Sequence, residues 1–175
     1  MQFIKAPVRY ESLGFGTIGV PTRTAHRMRD IIRKSAANEY VRKFAERQIQ
    51  YVQNRDEWGE AEAIYRFLQA KTRYAYDPRG VEYIQTPPYV LKHIEINMIP
   101  SLDCDDYATL GLSLLRSIGF QTAIRLTGYK DDGRFTHVYG LVKIHGKWTP
   151  FDPIRKEKEM GWEAPNRKRS MDIPV

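Results

Sequence analysis

The chain holds a single cysteine, Cys104, among 175 residues. An internal disulfide is therefore excluded, and a reducing compartment is the default expectation. A single Cys also excludes the Cys-rich structural zinc ligand sets. Long apolar runs are missing too. Nothing approaches the roughly 20 residues that span a bilayer, so no membrane partner is expected. The first 30 residues lack the continuous apolar stretch of a signal peptide. There is no internal repeat, no low-complexity tract and no nucleic-acid-binding fingerprint, and nucleic acid is not an expected partner.

What remains is a chain that is 42% hydrophobic and 28% charged, enough for one domain with its own core. Its net charge of +7 is unevenly spread. Residues 1–55 carry 11 Lys/Arg against 4 Asp/Glu, and residues 56–175 carry 17 of each. All the excess positive charge therefore lies N-terminal to the thiol. It is either a solvated helix face or a docking surface for an acidic partner.

Residues 1–21, with Pro7, Gly14, Gly16, Gly19 and Pro21, read as an extended arm. Residues 22–55 read as a basic helical segment. "TRTAHRMRDIIRKS" puts Ala25, Met28, Ile31 and Ile32 on one face, and "NEYVRKFAERQIQYVQ" does so with Val41, Phe44, Ala45, Gln48 and Val52, capped by Asn38. A globular core over 56–154 opens with a third helix, Ala61, Ile64, Tyr65 and Leu68 facing inward. Asp77-Pro78 and Gly80 signal a turn, Pro87-Pro88 a short helical turn, and "EINMIPSLD" a loop. "CDDYATLGLSLLRSIG" is the next helix, burying Tyr107, Ala108, Leu112 and Leu115 and ended by Gly119. The period then changes to two through Phe120, Thr122, Ile124 and Leu126. "DDG" at 131–133 and His145-Gly146 mark turns between three strands. Residues 155–175 read as a surface tail. The expected fold class is α+β: N-terminal helices, and the cysteine helix packed on an antiparallel β-meander.

Thiol catalysis needs a thiolate, a base and a group that orients the base. Cys104 stands at a helix start, where the amide dipoles favour a thiolate. Of the four histidines, His26 lies in a basic helix far upstream, His93 lies on the loop before the cysteine, and His145 occupies a turn. His137 sits in a strand returned by a hairpin and is the best-placed base. Asp152, in "KWTPFDPI" on the next strand, would hold the imidazole by one ring nitrogen. Two other fates remain open for the thiol, a buried small hydrophobe and a metal ligand in "DCDD". Hard-cation loops, however, alternate oxygen ligands with a glycine turn, so no metal is expected. Asp103, Asp105 and Asp106 pose an electrostatic problem. Two unit charges about 6 Å apart repel by roughly 3 kcal/mol at an effective dielectric near 20. A thiolate there needs a close, cationic His137, or aspartates that point elsewhere. Tyr74, Tyr76 and Tyr83 could line a cleft or belong to the core. Trp148 is expected to cover the His–Asp pair.

Four stretches, "DCDDYA", "LLRSIGF", "THVYGLV" and "GKWTPFDP", together resemble the transglutaminase-like superfamily of cysteine enzymes over residues 56–154. "YAYDPRGVEYIQTP" looks like the segment preceding the cysteine in small phage- and prophage-encoded members. The resemblance implies a papain-like core and a cysteine hydrolase or acyltransferase needing no cofactor. The substrate would be a protein or peptide carbonyl, taken through a thioester. Cys104 would be the nucleophile, His137 the general base and acid, and Asp152 the orienting group. The Cys104 N–H would serve the oxyanion, with Gln85 or Trp58 as a second donor or substrate contact. Leu102 replaces the glycine that family members often carry before the Asp-Cys pair. The alternative is a phage virion or assembly module with a vestigial triad, docked on other phage structural proteins through residues 1–55. Either would reside in the bacterial cytoplasm or a phage particle.

Overall fold

The structure, a computed structural model, describes residues 19–77 and 83–175. The elements in chain order are α1 (Gly19–Ala36), α2 (Glu39–Ile49), α3 (Glu57–Lys71), β1 (Arg73–Tyr74), α4 (Pro87–Glu95), β2 (Ser101–Leu102), α5 (Cys104–Ser117), β3 (Thr122–Gly128), β4 (His137–Ile144), β5 (Lys147–Phe151) and β6 (Arg169–Pro174). Among them no helix is long and apolar enough to cross a membrane.

The core is organised around α5. Every residue from Asp105 to Leu115 is buried, as expected of a helix enclosed on all sides rather than on one stripe. α1 to α4, β4 and β3 all pack against it. α1 contributes Ala25, Met28 and Ile32 to this core, and α2 contributes Val41, Phe44 and Ala45. Local chemistry sets the helix starts. Asn38 Oδ1 accepts from Tyr40 N at 2.9 Å, and Asp56 Oδ1 from Gly59 N at 2.9 Å. Gly119, at φ +105°, ends α5.

The four-stranded sheet is antiparallel, in the order β5-β4-β3-β6. Val138, Val142 and Ile144 of β4 join the main core, while Tyr139, Leu141 and Ala123 form a small cluster on the opposite face. Gly140 points at α5. A Cβ there would lie 2.6 Å from Leu112 Cδ2 and 3.3 Å from the Phe151 carbonyl oxygen. Gly140→Val is therefore expected to cost about 2–3 kcal/mol through overpacking. The measurement is the denaturant midpoint, and an unchanged value would mean that helix and sheet can separate cheaply.

Three sequence expectations change. The sequence predicts an arm over residues 1–21, but α1 already begins at Gly19; residues 1–18 lie outside the described residues, as does the Pro78–Gly80 part of the expected turn. The short helical turn at Pro87-Pro88 is a nine-residue helix, and the loop behind it carries β2, which pairs in parallel with β1. The tail does not merely cover the surface. Its end, β6, pairs with β3 from Ala123↔Pro174 to Gly128↔Arg169 and buries Ile173 and Val175. Arg125 clamps this edge, gripping both Asp172 oxygens at 2.7 Å.

Candidate active site

β2 delivers the chain directly to Cys104, the first residue of α5. Asp103 caps the helix, its Oδ1 accepting from Asp106 N at 3.2 Å. Cys104 is half-buried. Its N–H belongs to the first turn, where the helix itself supplies no acceptor. Tyr74 of β1, held opposite Leu102, stands next to this turn. Burial pushes its phenol up, and the charges of Cys104, Tyr76 and Asp103 push it further. Tyr74 and Tyr76 meet edge to face at 5.1 Å, and Tyr76 is largely exposed. These rings form a rim rather than core.

His137 is the first residue of β4, and Asp152 directly follows β5. Because β4 and β5 are neighbours, His137 Nε2 meets Asp152 Oδ2 at 2.7 Å. That contact leaves Nδ1 as the ring nitrogen for a sulfur or a substrate. The pair is mostly shielded, with side-chain exposures of 24% and 13%. Asp152 lies close enough to Tyr107, one helical turn beyond Cys104, to act on it. Burial raises the Tyr107 phenol, a hydrogen bond shared with Thr72 lowers it, and the Asp152 charge raises it. Of the other histidines, His26 is on an exposed face of α1 and His145 at a turn with φ +47°, as the sequence suggests, whereas His93, expected on the loop before the cysteine, lies half-buried in the last turn of α4.

Gln85 plays a different part from the oxyanion donor expected of it. Its Nε2 donates to Ser101 O at 2.9 Å and to Asp106 Oδ2 at 2.8 Å, and its backbone N–H donates to Asp106 Oδ1 at 2.6 Å. Both amide hydrogens are committed, so the side chain braces the helix start. Trp58 is 42% exposed, with its ring beside Gly161 and Thr149, midway along β5. Trp148 does not cover the His–Asp pair. It pairs with Lys143 toward the far end of the β4–β5 ladder, stacks under that ammonium at 5.9 Å and is 46% exposed.

The three aspartates converge instead of diverging around the helix. Each offers an oxygen, all within 4.8 Å of one another. A hard cation could bridge such a set, although Asp103 is already engaged in capping and Asp106 in receiving Gln85. Burial, and then the Asp103 charge, push the Asp106 carboxyl up to about 7 against the pull of the Gln85 hydrogen bonds. A neutral Asp106 removes one of the charges opposing a thiolate.

Sequence reasoning missed a buried polar stripe on α3. Tyr65 was assigned to the core, but its hydroxyl donates to Asp152 O at 3.0 Å and approaches Lys158 O at 3.3 Å. Gln69 Nε2 donates to Arg155 O at 3.0 Å and Lys158 O at 3.1 Å. Thr72 shares a 2.7 Å hydrogen bond with the Tyr107 hydroxyl. The available signal was polarity at i, i+4 and i+7 on an inward face.

Several solved structures are similar to this chain. A candidate protease from Parabacteroides distasonis shares 12% identity at a TM-score of 0.56, covering 74% of this chain and 26% of its own. A candidate cysteine protease from Cytophaga hutchinsonii shares 15% at 0.49, over 77% and 48%. LapG of Legionella pneumophila shares 15% at 0.47, over 85% and 81%. The chain thus spans about a quarter and about half of the first two proteins, and at these identities the likeness concerns fold alone. No curated protein sequence matches the chain. The sequence profile of the transglutaminase-like superfamily matches residues 42–153, so the chain belongs to that superfamily.

Proposed function

We propose that the protein is a cysteine hydrolase or acyltransferase that acts on a protein or peptide carbonyl through Cys104, His137 and Asp152. The observation that carries this reading is the 2.7 Å contact between His137, at the start of β4, and Asp152, just after β5, beside the sheet that packs on the cysteine helix.

In the first half-reaction the Cys104 thiolate attacks the carbonyl carbon. A C–S bond forms, and the π electrons move to oxygen, which the Cys104 N–H receives at the open helix start. The tetrahedral species collapses, the C–N bond breaks, and the leaving amine takes its proton from the His137 imidazolium. In the second half, water or an acceptor amine attacks the thioester and gives its proton to His137, and the thiolate leaves. Asp152 holds Nε2 and stabilises the imidazolium in both halves. With Gln85 committed elsewhere, the Tyr74 hydroxyl at the rim is the nearer candidate for a substrate contact.

A thiol-directed electrophile tests this directly. Iodoacetamide should alkylate Cys104 at neutral pH faster than it alkylates a free peptide thiol. Parity between the two would sink the proposal. The mass of an acyl adduct trapped on Cys104 after incubation with cell extract would then define the acyl group. The structural-module alternative relies on residues 1–55. Within them α1 and α2 are built into the core around α5, which leaves their exposed arginines as what they would offer a partner.

A further inference from the structure

We propose that Tyr65 and Gln69 of α3 are positioning residues for Asp152, an inference that rests on the catalytic reading above. The Asp152 carboxylate is held by little of its own. Oδ2 meets His137, whereas Oδ1 is buried and accepts no hydrogen bond among the described residues. A carboxylate with one bonded oxygen can swing about its Cα, so its aim depends on how firmly the backbone beneath it is fixed.

That backbone belongs to no strand. From Asp152 to Lys158 the chain runs through turns, with one internal bond from Lys158 N to Arg155 O at 3.0 Å. Pro153 is buried and Ile154 packs against the core, but the other hydrogen bonds to this backbone come from α3. Tyr65, 1% exposed, donates to the carbonyl of Asp152 itself, and its ring meets Phe151 edge to face at 5.3 Å. One turn later Gln69 uses both amide hydrogens on Arg155 and Lys158. A further turn on, Thr72 is bonded to Tyr107 of the cysteine helix. One rigid helix therefore holds the acid-bearing turn at its middle and the nucleophile's helix at its end. A shift of α3 would change the aim of Asp152 on His137 without touching either side chain.

The test uses the full chain and the pH–rate profile of Cys104 alkylation by iodoacetamide. Tyr65→Phe keeps the ring and its contact with Phe151 and removes only the hydroxyl. Gln69→Leu removes both amide donors. Tyr65→Phe should lower the rate at neutral pH about three- to tenfold, the fold-change of one lost hydrogen bond, and Gln69→Leu, which loses two, at least as much. Each should also move the acid limb to higher pH, in the same direction as Asp152→Asn but less far. An imidazolium less well supported by its carboxylate stabilises the thiolate less. Ile173→Ala, at the β6 edge, is the control: it should lower the melting temperature and leave the profile in place. If Tyr65→Phe and Gln69→Leu both superimpose on the wild type, or if Ile173→Ala shifts the profile equally, the positioning role is overturned while the triad stands. If Asp152→Asn and His137→Ala leave the wild-type profile unmoved, the catalytic reading fails, and the clamp fails with it.

Discussion

Replacing His137 with alanine should reduce acyl-transfer or hydrolytic turnover by roughly 10²- to 10⁴-fold, the range for loss of a positioned acid–base group. Alkylation of Cys104 at pH 7 should fall less, by about 30-fold. A thiol with an ordinary pKa near 8.5 is only a few per cent thiolate at pH 7, whereas a thiol paired with an imidazolium is thiolate throughout. Whatever charge the aspartates at the start of α5 retain opposes a lone thiolate and makes this drop a lower limit. The residual rate in His137→Ala should climb steadily with pH up to and beyond 8.5. A wild-type profile that climbs in the same way would show that no imidazolium supports the thiol.

Asp106→Asn should stabilise the protein at pH 8 relative to pH 4. Burial raises the Asp106 carboxyl from 3.8 to about 7 in the folded state. Between those values the folded chain holds a proton that the unfolded chain has lost. Stability is therefore complete below about pH 4 and declines as pH rises through 7. A shift of about three units corresponds to about 4 kcal/mol at full ionisation. Asparagine escapes this penalty. It does disturb the Gln85 amide, which is oriented by Ser101 O and offers a donor where Asn Nδ2 would also donate. That cost is the same at both pH values, so the difference between pH 8 and pH 4 isolates the ionisation. Denaturant titrations of both proteins should show the variant gaining about 3–4 kcal/mol on the wild type between the two pH values. Parallel behaviour would mean that the Gln85 donors keep Asp106 charged throughout.

Some of the molecule was legible because its chemistry is local. Asn38 as a cap, Gly119 as a helix end, the His145-Gly146 turn and the switch from helical to alternating period all act within a few residues. β6 was not legible in the same way. "RSMDIP" carries one buried side chain, and what makes it a strand is the unpaired edge of β3, far away in sequence. Trp148 was misplaced for a related reason. Sequence proximity to Asp152 suggested a shield, but strand pairing sends Trp148 toward the far end of the ladder, beside Lys143. Successive residues at a helix start lie about 100° apart, which would let the aspartates at the start of α5 point away from one another. Their side chains converge because Asp103 reaches back as a cap while Asp106 is drawn to Gln85, 21 residues away in sequence.

By itself the sequence determined the thiol at a helix start and the candidate base on a strand with the acid close behind the next one, since helix signals and alternation are written in adjacent residues, and it carried the motifs by which the chain resembles its superfamily. Only the tertiary structure decided that Nε2 of His137 meets Asp152 and that Gln85 is spent on Asp106. It also decided that Tyr65, which periodicity marks only as an inward-facing ring, holds the Asp152 carbonyl. These are hydrogen bonds between groups 15 to 87 residues apart. Their partners are chosen by how α3, α5 and the sheet pack, and no local pattern encodes that.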